Sequence, residues 1–289
     1  TVFNMTIIKK IKYKYIWKRI FVERFTEPLH LNLISFFVWL FGSYRSKIDF
    51  DLIIRQQHAY GLLQAADRAL KLGFRSVTVI EFGVASGAGI MNIQRIASNI
   101  QKMTGVKFDI YGFDNITGMP PHKDYRDHPD LYKEGDYKMN YDVLKKHLNS
   151  NVTIIQGNIK SNIKQFLENL PPQSPIGFVS IDVDYYSSTV DALTVFDGEA
   201  SKYLDIVYLY VDDIHKEEHN SLCGELLAIN EFNKNHSKMI IEKYAFLESQ
   251  RIFKHAKWIK HMYSLHVLEH EHRNQIHFKE IQELENPYL

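Results

Sequence analysis

The chain runs to 289 residues with a formal net charge of +1, a balance that calls for no nucleic acid or other polyanion as partner. Hydrophobic residues at 45% and charged residues at 24% suffice for a globular core without disulfide or metal staples. The single cysteine, Cys223, excludes an internal disulfide and a thiolate metal centre, and it fits a reducing, cytoplasmic setting.

The N-terminal 50 residues predict a helical extension. Lys9, Lys10, Lys12, Lys14, Lys18 and Arg19 all precede the first acid. The apolar run LNLISFFVWLF from Leu31 to Phe41 holds 11 residues, too few for a bilayer-spanning helix. Glu23 and Glu27 interrupt its approach and no small-residue cleavage site follows, which argues against a signal peptide. Two readings of this stretch stand side by side. One is a helix buried on the main domain or in a homo-oligomer interface. The other is a helix on a membrane surface, with Trp17, Ile20, Phe21 and Phe25 facing lipid.

Residues 52–72 predict a helix, with Leu63, Ala66 and Leu70 on one face and Gly73 as its stop. β-rich runs then alternate with helical ones. VTVIEF (77–82) precedes a helix to about residue 103, and KFDIYGFD follows as the second strand. VTIIQG (152–157), IGFVSID (176–182) and DIVYLYVDD (205–213) are the next three strands, each followed by a helical segment. KMIIEKYAF and QRIFKHA are the candidates for a terminal strand pair, and 261–289 predicts a helical tail. This alternation implies an α/β fold over 51–260: a Rossmann-like, doubly wound, mostly parallel seven-stranded sheet with helices on both faces. The nearly unbroken apolar strands agree with a sheet covered on both sides. Residues 115–150, rich in Pro, Gly, Asp, His and Tyr, form an insertion long enough to be a lid or binding loop.

Ligands of such sheets lie beyond the carboxyl ends of the strands, and the chemistry-bearing residues fall there. Strand one runs into Glu81-Phe82-Gly83-Val84-Ala85-Ser86-Gly87-Ala88-Gly89 and a helix N-terminus, a turn that lets the backbone approach a ligand closely. Strand two ends at Asp114, an acid placed to accept hydrogen bonds from ribose hydroxyls, or to cap a turn. Gly157-Asn158 after strand three can meet an adenine or simply turn the chain. Asp182-Val183-Asp184 and Asp212-Asp213 end strands four and five. If these ends are neighbours, their carboxylates repel one another, and a hard divalent cation is the natural compensation. His215, two residues on, is a candidate base or ligand. The alternative is that these acids cap the following helices.

Four blocks in this order, EFGVASGAG, YGFDNITGMPP, SIDVDYYSSTVDAL and YVDDIH with downstream GELLAINEF, resemble the macrocin O-methyltransferase family of class I methyltransferases, over roughly residues 75–235. GDYKMNYDVLKKHL is similar to that family's helix after the lid. The resemblance implies O-methyl transfer from S-adenosylmethionine to a hydroxyl of a sugar or glycosylated small molecule, assisted by Mg²⁺. It implies cofactor contacts from Glu81, Gly83, Ala85, Ser86, Gly87, Asp114, Asn115, Gly157, Asn158 and Asp182, and metal ligation by Asp182, Asp212 and Asp213. Asp184 and His215 are then the general-base candidates. There are departures: Ala85 stands where the family has a glycine, Tyr185 where a lysine base is found, and DYRDHPD in the lid has no counterpart.

Two other classes remain. A nicotinamide-dependent oxidoreductase is disfavoured by the glycine spacing and by the lack of a Tyr-x-x-x-Lys pair after strand four. A non-catalytic scaffold is disfavoured by the retained acids. His266-Val267-Leu268-Glu269-His270 matches a zinc-protease motif, but the His- and Glu-rich tail reads better as a solvated helical face.

Overall fold

The strand-like runs pair into one sheet of seven in a computed structural model that describes residues 24–214 and 217–275. The strands are β1 (Ser76–Phe82), β2 (Lys107–Asp114), β3 (Val152–Gln156), β4 (Ile176–Ile181), β5 (Tyr203–Val211), β6 (Met239–Lys243) and β7 (Met262–Val267). Their order is β3-β2-β1-β4-β5-β7-β6. β1 to β5 run parallel, and β7 inserts antiparallel between β5 and β6. The strand order reverses between β1 and β4, which places the ligand crevice of such a sheet over those two ends. This is the Rossmann-like α/β architecture that the sequence predicts.

Side chains of one strand serve two cores, because successive residues point to opposite faces. Val77 and Val79 join one buried cluster, and Ile80 and Phe82 the other. Helices α1 (Leu29–Phe41) and α2 (Tyr44–Asp49) precede the sheet. Helix α3 (Gln56–Lys71) and helix α4 (Ala88–Thr104) cover the first face through Leu62, Leu63, Ile93 and Ile96. A short helix α5 (Tyr141–Lys145) closes the insertion after β2. The second face is covered by α6 (Ile159–Asn169), α7 (Tyr186–Leu193) and α8 (Gly224–Asn235), through Phe166, Ala192 and Phe232. Arg68 of α3 pins the buried Asp205 of β5 with two guanidinium N–H groups, Nε to Oδ1 at 2.6 Å.

The C-terminal part departs from the expectation. Met262–Val267, read as part of a helical tail, is strand β7, and it rather than QRIFKHA pairs with β6. Its period is two: Tyr263, Leu265 and Val267 enter one core cluster while Met262 enters the other. Ser264 and His266 between them broke up the apolar run and hid the strand. His266 therefore lies in the sheet, and His270 caps the short helix α10 (Glu271–Asn274), which follows α9 (Leu247–Gln250), the preceding helix in the chain. The zinc-motif histidines thus stand on two different elements. Residues 1–23, with their basic cluster, and 276–289 lie outside the described residues.

Candidate functional site

A cavity of about 420 Å³ opens over the carboxyl ends of β1, β2, β3, β4 and β5, within the size range of small-molecule sites. Gly83, Ala85, Asp114, Asn115, Gly157, Asn158 and Asp182 all line it, together with Asp184, Asp212 and Asp213. The structure thus gathers most of the predicted site from five strand ends.

The glycine loop is shaped by close approach. A Cβ on Gly89 would sit 1.8 Å from Glu81 Oε1, so helix α4 starts directly on the Glu81 carboxyl, which accepts from Ile90 N–H. Glu81 is fully buried, and burial pushes its pKa up to about 8, with Asp114 adding repulsion and Arg55 opposing it. It supports the loop from below and is not on the cavity wall. Gly87 is buried at the start of α4 and Ser86 is exposed; neither lines the cavity. Ala85 adopts φ 47°, the left-handed region where an L side chain is strained, which accounts physically for a glycine at this place in the family.

Asp114 does more than face the cavity. Its Oδ2 accepts from Val84 N at 2.9 Å and Ala85 N at 2.8 Å, and its Oδ1 accepts from Ile116 N at 2.7 Å. The carboxylate clamps the glycine loop to the end of β2. Asn158 Oδ1 caps α6 by accepting from Ser161 N at 3.2 Å while the residue also lines the cavity; it is for Asp114, through Ile116 N, that the turn-capping alternative holds.

The acids at the far wall converge. Asp182, Asp212 and Asp213 each offer a carboxylate oxygen, and these lie within 4.8 Å of one another. They do not serve as caps of separate helices: α7 and α8 start at Tyr185 and Cys223 without a side-chain cap. The cause is register, since Ile181 of β4 pairs with Val211 of β5 and both chains leave the sheet at the same level. Asp184, at φ 58°, is hydrogen-bonded to Asp213 and to the Tyr132 hydroxyl, and its pKa is pushed up to about 8, by burial first and then by Asp213. Burial and then Asp212, Asp213 and Glu81 also raise Asp182 well above the carboxylate range, against Arg55.

Sequence reasoning missed Glu225 in the first turn of α8. It is fully buried, its Oε2 accepts from Asp213 N at 2.8 Å, and its pKa is raised by burial, Asp213 and Asp182. An acid opening the helix after the Asp-Asp pair was the available signal. Tyr210, whose hydroxyl donates to Asp212, and Arg55 carried no local signal. Asp127 of the insertion was also missed. It accepts from Ser187 N at 2.8 Å and Lys123 N at 2.9 Å, tying the insertion to α7, yet it looks no different in sequence from Asp124 or Asp130. His215 lies outside the described residues.

No family model and no curated protein matches the chain. Among solved structures, the chain is similar to CalS11, a calicheamicin methyltransferase, at 18% identity and a TM-score of 0.46, covering 61% of this chain and 70% of that one. An apo structure of CalS11, described as a TDP-rhamnose 3′-O-methyltransferase, gives 16% and 0.40 over 71% and 85%. The plantazolicin methyltransferase BamL, in complex with a triazolic desmethylPZN analogue and S-adenosylhomocysteine, gives 12% and 0.38 over 80% and 94%. At such scores the likeness decides nothing about chemistry, which the side chains must carry.

Proposed function

We propose that the chain is an S-adenosylmethionine-dependent O-methyltransferase, assisted by a divalent metal, acting on a hydroxyl of a sugar or glycosylated small molecule. The observation that carries this reading is the convergence of Asp182, Asp212 and Asp213 across one cavity from the glycine loop. The donor set fits a hard cation: three carboxylates supply only oxygen, and Glu225 Oε1 and Glu81 Oε2 behind them are buried without a hydrogen-bond partner. Held there, Mg²⁺ would lower the pKa of an acceptor hydroxyl and fix its position.

The chain's own residues do the rest. Gly83 and Ala85 present the glycine loop to the cofactor, and Asn115 and Asn158 flank the region open to its nucleoside. Asp184 stands beside the three acids, placed to take the acceptor's proton. The insertion, tied down through Asp127 and Ser187, forms one wall of the cavity. Aligning donor and acceptor in one site supplies about 7–11 kcal/mol in favourable systems.

The test has two parts. S-adenosylhomocysteine should raise the melting temperature, as any ligand of the folded state does; equal stabilisation by NAD would overturn the assignment. Chelation, or Asp182→Asn, should abolish methyl transfer to a glycoside acceptor while S-adenosylhomocysteine still binds. Transfer at full rate in chelator would leave a metal-free methyltransferase as the correct reading.

A further inference from the structure

Helix α1 turns most of its apolar residues away from the domain. Its inward side holds the buried Ser35 with half-buried Leu31 and Val38, and Asn32 donates to Arg24 O at 2.9 Å. The other apolar residues face outward. Phe41 is 82% exposed, Leu29 72%, Leu33 68% and Phe37 61%, and Ile34, Phe36, Trp39 and Leu40 are exposed beside them. At about 100° per residue these eight side chains sweep about 220° of the helix circumference, interrupted by His30 and Asn32. The expectation that this stretch is buried on its own domain therefore fails for most of its apolar side chains, because only Leu31 and Val38 turn inward beside Ser35.

The helix is nevertheless held firmly. Arg24 donates to Phe50 O at 2.6 Å and Asp51 O at 3.0 Å and lies over the Phe253 ring at 3.8 Å. Glu27 accepts from His255 N at 2.9 Å. The apolar arc is thus presented by a fixed mount.

We propose that α1 docks the protein onto an anionic membrane surface. Three observations choose this occupant. First, a partner helix from a second copy covers a stripe of about 100°, less than half of the exposed arc, whereas lipid wets all of it. Second, α1 has 13 residues, about 20 Å, and no described helix is long and apolar enough to cross a membrane, so it lies in the interface and does not span. Third, the sequence ahead of it holds Lys9, Lys10, Lys12, Lys14, Lys18 and Arg19 before the first acid, Glu23, the charge pattern that anionic headgroups attract. The proposal is independent of the methyl-transfer reading.

Cosedimentation of the full chain with phosphatidylcholine vesicles, with and without phosphatidylserine, tests it. Binding should be at least about tenfold tighter with the anionic lipid and should weaken as salt screens the basic segment. Phe37→Glu combined with Phe41→Glu should lower affinity at least about tenfold and leave the melting temperature unchanged, because both side chains are largely exposed and Phe37 meets only the ring of the likewise exposed Phe36. Replacing Lys9, Lys10, Lys12 and Lys14 by Gln should remove the preference for phosphatidylserine. No sedimentation with either vesicle overturns the proposal, as does binding that the Phe37/Phe41 variant leaves intact. A dimer dissolved by that variant, without vesicle binding, would assign the helix to a second copy instead.

Discussion

Replacing Asp114 separates two roles that one carboxylate can play. If it only awaits a ligand's ribose, Asp114→Ala weakens cofactor binding and leaves the ligand-free protein as stable as before. The structure gives it three backbone N–H partners within 2.9 Å on the glycine loop and the start of the insertion. The loop then loses its tether, and Ala85 at φ 47° relaxes out of the left-handed region. Water reaches this half-buried site and replaces part of the loss, so a net effect of one charge-assisted bond, about 1.5–3 kcal/mol, is the right scale. For a domain of this size that corresponds to about 3–12 °C in melting temperature. Asp114→Asn should fall between, because its Oδ1 keeps Val84 and Ala85 while its amide turns a donor toward the Ile116 N–H. The assay is calorimetric melting without ligand, followed by titration of S-adenosylhomocysteine into each variant. A ligand-free melting temperature within about 1 °C of the parent, together with lost affinity, would refute the clamp.

The sheet was legible because its strands are short apolar runs separated by helices, and because parallel strands buried on both faces need little else. β7 was not, since Ser264 and His266 interrupt it and its partner β5 is distant in sequence. At the site, residues just after strands could be found from position alone: Gly83, Asp114, Asp182, Asp184, Asp212 and Asp213 all reach the cavity wall. What sequence could not supply was how each group is answered. Asp114 is satisfied by backbone, a fact that depends on the path of the loop. Glu225 had only its place in the first turn of the helix after the Asp-Asp pair to mark it, and Arg55 enters from the start of α3, which leaves no mark in a motif. The apolar stretch in α1 misled in one respect: hydrophobicity implies a need for cover, yet only Leu31, Ser35 and Val38 turn toward the domain.

The remaining expectations concern charge. Glu81→Gln should flatten the pH dependence of stability. The folded pKa of Glu81, about 8 against 4.5, means the folded state holds the proton more tightly, so its contribution is complete below about pH 4.5 and is lost as pH rises through about 8, by up to about 1.4 kcal/mol per pH unit. Urea midpoints measured in chelator from acid to mildly alkaline pH check this, and identical profiles for parent and variant would refute it. Arg251→Met should destabilise by about 3–5 kcal/mol, because it strands the buried Asp51, which Arg251 NH2 meets at 2.8 Å and Trp258 Nε1 at 3.2 Å. Urea unfolding of the single variant and of the double variant with Asp51→Asn measures it, and a loss under about 1 kcal/mol would show that the pair is solvated. The last expectation concerns the acceptor and rests on the proposed function. Asp114, Asp136, Asp182, Asp184, Asp191, Asp212 and Asp213 line the cavity, against Lys123 as the single cationic side chain among the described lining residues. One dication does not reverse that balance, and in a partly enclosed cavity charges act through a lower dielectric than water. A neutral glycoside can place a hydroxyl beside Asp184 without opposing this field, whereas a phosphorylated acceptor brings further negative charge into it. With matched acceptors, kcat/KM should therefore fall at least about tenfold, or about 1.4 kcal/mol, when a phosphate is added to the sugar, and the gap should narrow as salt is raised. A phosphorylated acceptor used better than its neutral parent, with the advantage lost in Lys123→Gln, would show that a single lysine outweighs seven aspartates and would reverse the inferred acceptor class.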